Sequence, residues 1–178
     1  VLPGARVTLT AKATDADYEA TDLPGEVRYS TNGGTVDGGV LTVNAAAKAG
    51  TVTVSAVSGA LQTSTTLNVL NDVSGISVKE DGGKTALSTL RLPGGTAVRL
   101  DAEASWCGMP VLAENESFRW SVTDGIGCVA ADGTFTAAEV AKVTDGTLTV
   151  TYGTAKTEIP VSVSPSNPFT DVKDHWAG

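Results

Sequence analysis

Residues 118–136 read FRWSVTDGIGCVAADGTFT, and the reading of this stretch decides the fold. Phe118, Trp120 and Val122 alternate with Arg119 and Ser121, the period-two pattern of a strand with one buried face. A Gly/Asp turn follows, then an extended segment, a tight Asp132-Gly133 turn and Phe135. An earlier copy of the same outline is VRYSTNGGTVDGGVLT, residues 27–42.

Outward from these two stretches the copies continue to match. Residues 2–13, LPGARVTLTAKA, and 92–104, LPGGTAVRLDAEA, each open on Leu-Pro-Gly and alternate apolar with polar residues. Polar connections (14–26 and 105–117) lead from these strands into the aromatic ones. VTVSAV (52–57) corresponds to LTVTY (148–152), each preceded by a glycine, Gly50 or Gly146. TSTTLNV (63–69) corresponds to TEIPVSV (157–163). Corresponding elements in one order, repeated, make an internal duplication. Strands about ten residues apart with Gly, Asp and Asn between them predict antiparallel sandwiches. The fold class is therefore all-β, two tandem Ig-like antiparallel β-sandwiches, over residues 1–70 and 71–164, with 165–178 as a separate tail. Residues 75–91 have no counterpart ahead of the first Leu-Pro-Gly, so the first module is expected to lack an opening strand. Residues 70–74 form a linker without a Gly/Ser or Pro tract, which predicts a defined arrangement of the modules. One or two helical turns are expected over 136–142.

Composition narrows function by exclusion. The 178 residues carry 12 basic and 20 acidic side chains, a net charge of −8. A nucleic-acid partner needs clustered Lys and Arg to displace counterions, so none is expected. No apolar run approaches bilayer length, so no membrane insertion is expected. His175 is the single histidine, which leaves no Ser-His-Asp triad or two-histidine metal site in view. Glu114 and Glu116 stand two apart in one connection and read as surface charges rather than a glycosidase pair, which must flank a cleft. No catalytic residue, cofactor or metal is expected.

Several residues invite weighing. Trp120 reads as core. Trp106, where a strand passes into a polar connection near Met109 and Val111, is the candidate for stacking on carbohydrate, with Tyr18 and Tyr152 behind it. Acidic residues Asp15, Asp17, Glu19 and Glu26 fall at calcium-loop spacing, but Ala20 stands where the loop needs glycine. Cys107 and Cys128 bracket the aromatic strand. They lie at opposite ends of neighbouring antiparallel strands, beyond the ~7 Å Cα separation a bridge allows, unless the 105–117 connection folds back.

The Leu-Pro-Gly strand, Trp120-Ser121-Val122 and the pattern from Val129 to Ala137 resemble bacterial immunoglobulin-like repeats of surface proteins. The tail residues Phe169, Asp171, Val172, His175 and Trp176 resemble the start of an S-layer homology repeat. The resemblance implies an extracellular segment of a secreted, cell-wall-anchored bacterial surface protein, whose further repeats bind a cell-wall secondary polymer. It implies a non-catalytic spacer that presents another domain. The alternatives are a module binding carbohydrate or a host surface, or the accessory region of a larger secreted hydrolase such as a phosphodiester glycosidase.

Overall fold

The alternating Val/Thr/Ser segments are strands in the computed structural model, which describes residues 1–166. The first module contains β1 (Arg6–Thr8), β2 (Ala13–Thr14), β3 (Ala20–Thr21), β4 (Arg28–Thr31), β5 (Gly34–Asp37), β6 (Val40–Val43), β7 (Gly50–Ser58) and β8 (Leu61–Val69). One sheet runs β1-β6-β5, the other β4-β7-β8, and β2 pairs with β3 in a small ribbon. Its core is a compact cluster around Leu41, Val43, Val52, Val54 and Val69.

The second module contains β9 (Gly75–Glu80), β10 (Leu90–Pro93), β11 (Ala97–Trp106), β12 (Met109–Val111), β13 (Arg119–Val122), β14 (Gly127–Val129), β15 (Thr134–Ala137), β16 (Thr144–Tyr152) and β17 (Ala155–Ser164). One sheet is β10-β17-β16-β13. The other is β12-β11-β15-β14, with β9 on the far edge of β11. Both sheets pack their apolar rows inward, so Leu100, Phe118, Phe135, Leu148 and Ile159 are buried together. The all-β sandwich class is as the residue pattern predicts. One pairing departs from the antiparallel rule: β10 runs parallel to β17.

The expected helix over 136–142 is absent. Thr136 and Ala137 close β15, Ala137 is buried, and residues 138–143 are irregular. The Ala137 N–H donates to the Thr96 carbonyl and the Ala138 N–H to that of Ile126. The Ala137 carbonyl, which a helix would give to its own N–H four residues on, instead accepts from the Gly95 N–H, so tertiary pairing overrides the helix preference of Ala and Glu. Among the described residues the single helical element is a 3-10 turn, Asn115–Ser117.

The backbone hydrogen bonds set the match between the two modules one residue away from the Leu-Pro-Gly alignment at its start. Gly4 and Gly95 share a positive φ, 83° and 71°. Gly4 donates to the carbonyl of Val43 and Gly95 to that of Ala137, each the last residue of the matching strand. The two Leu-Pro-Gly triplets are therefore offset: Gly4 matches Gly95, not Gly94, and Leu2 falls at the place of Pro93. A left-handed backbone strongly favours glycine, and Gly94-Gly95 offers two candidates in sequence. The paired glycines Gly50 and Gly146 also part. β7 and β16 register against their last strands so that Gly50 matches Thr144, and Val52 matches Gly146.

Candidate functional site: the junction between the modules

The linker is short, and polar groups around it are paired on both sides. Val1 lies beside the end of β8: its amino group donates to the Asn68 carbonyl, and the Leu70 N–H donates back to the Val1 carbonyl at 2.9 Å. This is the place that β10 takes beside β17 in the second module. The first module's opening residues are thus held at its exit, facing its neighbour.

Leu2 crosses the boundary. Its N–H donates to the Leu112 carbonyl at 2.8 Å, and its side chain is fully buried within the apolar cluster of the second module. Ser117 Oγ donates to the Pro3 carbonyl at 2.8 Å, and the Arg6 N–H donates to Glu114 Oε1 at 3.2 Å. Glu114 is thus a junction residue rather than a plain surface charge, while Glu116 is exposed. A cleft of about 510 Å³ opens beside these contacts, lined by Pro3, Gly4, Ala45, Glu114, Glu116 and Tyr152, among others.

The linker is fixed on its other side by the β16–β17 turn. Asp72 accepts from the Thr154 N–H at 2.9 Å and from Thr154 Oγ1 at 2.7 Å, and from the N–H of Val73. These hydrogen bonds, led by the Thr154 hydroxyl, stabilise the carboxylate and lower its pKa. Tyr152 donates its hydroxyl to the Leu70 carbonyl at 2.9 Å, and its ring meets Phe118 edge-on with centroids 6.2 Å apart. Burial, with a smaller contribution from the Asp72 charge, raises the Tyr152 pKa. Ser74 closes the linker: its N–H and hydroxyl both donate to the Ser105 carbonyl, and its Oγ accepts from the Cys107 N–H.

Asn115 holds the receiving connection in place. Along one edge of β11 the partner changes from β15 to β12, which leaves strand groups between them without a ladder. Asn115 supplies the missing partner. Its Oδ1 accepts from the Ala102 N–H at 2.9 Å, and its Nδ2 donates to the carbonyls of Leu100 and Asp132, both at 2.8 Å. Its own carbonyl accepts from Trp120 Nε1 at 3.0 Å. One side chain thereby ties the 112–117 connection to the sheet. Neither Asn115 nor the junction role of Leu2 was evident from sequence. An asparagine in a polar loop gives no periodic signal, and a leucine before Pro-Gly reads as a strand end.

The residues singled out from sequence are dispersed. Trp106 is 45 % exposed on the β11–β12 hairpin, with Met109, its register partner, 70 % exposed. Tyr18 is exposed at the tip of the β2–β3 connection of the other module. Tyr152 belongs to the junction. Trp120 packs half-buried against the second core. Cys107 and Cys128 are both exposed free thiols. Cys107 follows the last residue of β11. Cys128 pairs with Thr136, which pairs with Ala97 at the other end of β11. Ten strand residues span about 33 Å. Asp15 Oδ1 accepts from the N–H groups of Asp17 and Glu19, so that carboxylate is engaged in closing its own turn. Among the described residues no group of three or more His, Cys, Asp or Glu is placed to hold a metal ion. No helix of the described residues is long and apolar enough to cross a membrane. Phe169, Asp171, Val172, His175 and Trp176 lie outside the described residues.

Fold and junction together define a tandem pair of all-β sandwich modules joined by paired polar groups and one shared leucine. No protein-family profile matches the chain, and no curated protein does. Solved structures to which it is similar include surface layer protein SbsC, domains 1–6 (18% identity over 93% of this chain and 26% of that one, TM-score 0.39). Others are SbsC domains 5–6 (20%, 93% and 95%, TM-score 0.34) and protocadherin gamma C5 EC1-3 (14%, 91% and 62%, TM-score 0.35). The chain thus spans about a quarter of the longer SbsC chain.

Proposed function

We propose that this segment is a non-catalytic spacer, which sets the position of another domain of a secreted bacterial surface protein relative to the cell wall. The observation that carries the reading is the junction. A spacer that fixes position has to resist bending between its modules, and here Leu2, Asp72, Tyr152 and Ser117 each bind across or along the boundary. Freely jointed modules need no such contacts. The acidic balance, −8 overall, suits a solvated extracellular surface. The wall-anchoring part of the proposal rests on the sequence of residues 167–177, whose likeness to the start of an S-layer homology repeat points to a secondary-polymer partner for repeats of that kind.

The exposed Trp106–Met109 pair favours a second reading, a carbohydrate- or host-surface-binding module. One titration separates the two. Purified protein is titrated with cell-wall polysaccharide while tryptophan emission is followed. The spacer reading expects no saturable change. A saturable change abolished by Trp106→Ala would replace it with the binding reading.

A further inference from the structure

The chain enters the second module at one end and leaves it at the other. Gly75, which opens β9, pairs with Ser105 near the end of β11. Ser164, which closes β17, pairs with Pro93, and the Thr96 N–H turns back to the Pro93 carbonyl just ahead of Ala97, the start of β11. Entry and exit thus lie at opposite ends of the sandwich, and tension between them runs along the strands. Inter-strand hydrogen bonds lie across the strands. A strand drawn along its own axis therefore strains its paired groups together, whereas a strand peeled from one end gives them up in turn.

The entering chain is fastened before it reaches β9. Asp72 accepts from the Thr154 N–H and hydroxyl, and Tyr152 donates to the Leu70 carbonyl, so the linker is tied to the turn from which β17 starts. β17 then runs from Ala155 to the exit at Ser164. It is paired antiparallel with the whole of β16 and parallel with β10. Because β10 is reached from the entry end, tension draws β10 and β17 in opposite directions. Two further bonds tie this pair: Thr89 Oγ1 donates to the Pro160 carbonyl at 3.2 Å and the Gly94 N–H to the Ser164 carbonyl at 2.8 Å.

We propose that the second module bears tension along the chain. β17 is the strand that transmits it, and the Asp72–Thr154 and Tyr152–Leu70 bonds form the latch that passes it from the linker to β17. With the latch closed, β9 lies outside the path. With the latch open, the pull passes through Val73 and Ser74 to β9, which slips from β11 before β10 is strained. This goes beyond the spacer reading, since a segment can set position without resisting a pull, and its failure would leave that reading standing.

The test is single-molecule pulling on the full chain, held at its two ends. Unfolding of the second module is recognised by the chain it frees, about 300 Å for residues 75–164 against about 240 Å for 1–69. The unaltered chain is expected to open the second module in one event. Asp72→Ala with Tyr152→Phe is expected to lower the force of that event at least twofold and to add an earlier step, freeing about 50 Å of chain as residues 75–89 come away. Thr154→Val, which removes one bond of the latch, is expected to lower the force in the same direction and serves if the double variant does not fold. Asn115→Ala, off the path, is expected to lower the melting temperature without the early step. An unchanged force in the latch variants would overturn the proposal. The early step appearing in the unaltered chain or in Asn115→Ala would overturn it equally.

Discussion

The backbone N–H of Leu2 donates to the carbonyl of Leu112 at 2.8 Å, so the opening residues of the first module close over the second. The Leu2 side chain goes with it and is fully buried in a cluster that otherwise consists of second-module residues and Leu70 of the linker. Leu2→Ala should therefore destabilise the second module. Buried leucine-to-alanine changes cost about 2–5 kcal/mol, and a boundary site that can relax belongs at the lower end. Thermal unfolding of the whole chain, with exchange resolved by module, checks this. A loss confined to the first module would contradict the assignment.

Asp72 makes the junction sensitive to acid. Its carboxylate is stabilised by Thr154, so its pKa in the folded chain lies below the usual 3.8. Between that lowered value and 3.8 the unfolded chain binds more protons, so stability is full above the usual value and is lost as pH falls through the folded one. Asp72→Asn should remove this part of the acid dependence. The measurement is the pH dependence of the melting temperature between pH 5 and 2.

Tyr152 gives the opposite edge of the window. Its pKa is raised above the usual 10.0, chiefly by burial, and the ionised phenol cannot donate to the Leu70 carbonyl. The folded chain holds the proton longer, so stability falls as pH rises from 10.0 through the folded value. Tyr152→Phe should flatten that decline, at a cost of about 1 kcal/mol at neutral pH for the lost hydrogen bond. Melting curves of the two proteins from pH 8 to 11.5 test the prediction.

Asn115 is expected to be more costly to change than its loop position suggests. Asn115→Ala leaves the Ala102 N–H and the Leu100 and Asp132 carbonyls without their partner. Unpaired buried groups cost about 1–3 kcal/mol each, reduced here by whatever water reaches them. Asn115→Asp keeps the acceptor but sets a carboxylate oxygen against the Leu100 and Asp132 carbonyls and Asp101 Oδ1, so it should not recover the loss. Denaturant midpoints of both variants order them.

The same core space is filled from opposite sides in the two modules. A Cβ on Gly146 would stand 2.6 Å from Ile126 Cδ1, and one on Gly33 would stand 2.2 Å from Val52 Cγ2. Gly33 matches Ile126, because Asn44 and Ala138 donate to their respective carbonyls at the same point of each module. Gly146→Ala should overpack and cost about 1–3 kcal/mol. Adding Ile126→Val to it should recover part of that cost, as a double-mutant cycle would show.

How much of this was legible in the sequence follows from what leaves a period. Strands such as β11 and β17, with alternating apolar rows, could be read directly, and the order of elements in 27–42 and 118–136 exposed the duplication. The Gly33/Val52 and Ile126/Gly146 exchange could not be read, because each module breaks the alignment at both positions at once. The candidate site was less legible still. Leu2, Asp72 and Asn115 act through backbone groups of distant residues, and no spacing along the chain encodes such partners. The helix expected over 136–142 failed for a related reason: Ala137 answers to Gly127 and Thr96 across the sheet.

The central claim is that the two modules are held in one relation by the junction. The direct measurement is an electron-spin distance distribution between labels at exposed Cys128 and at exposed position 51, introduced by Thr51→Cys, in a Cys107→Ser background. A single narrow distance is predicted for this protein, broadening when Leu2→Ser and Asp72→Ala are added. A broad distribution before those two substitutions are made would contradict the account.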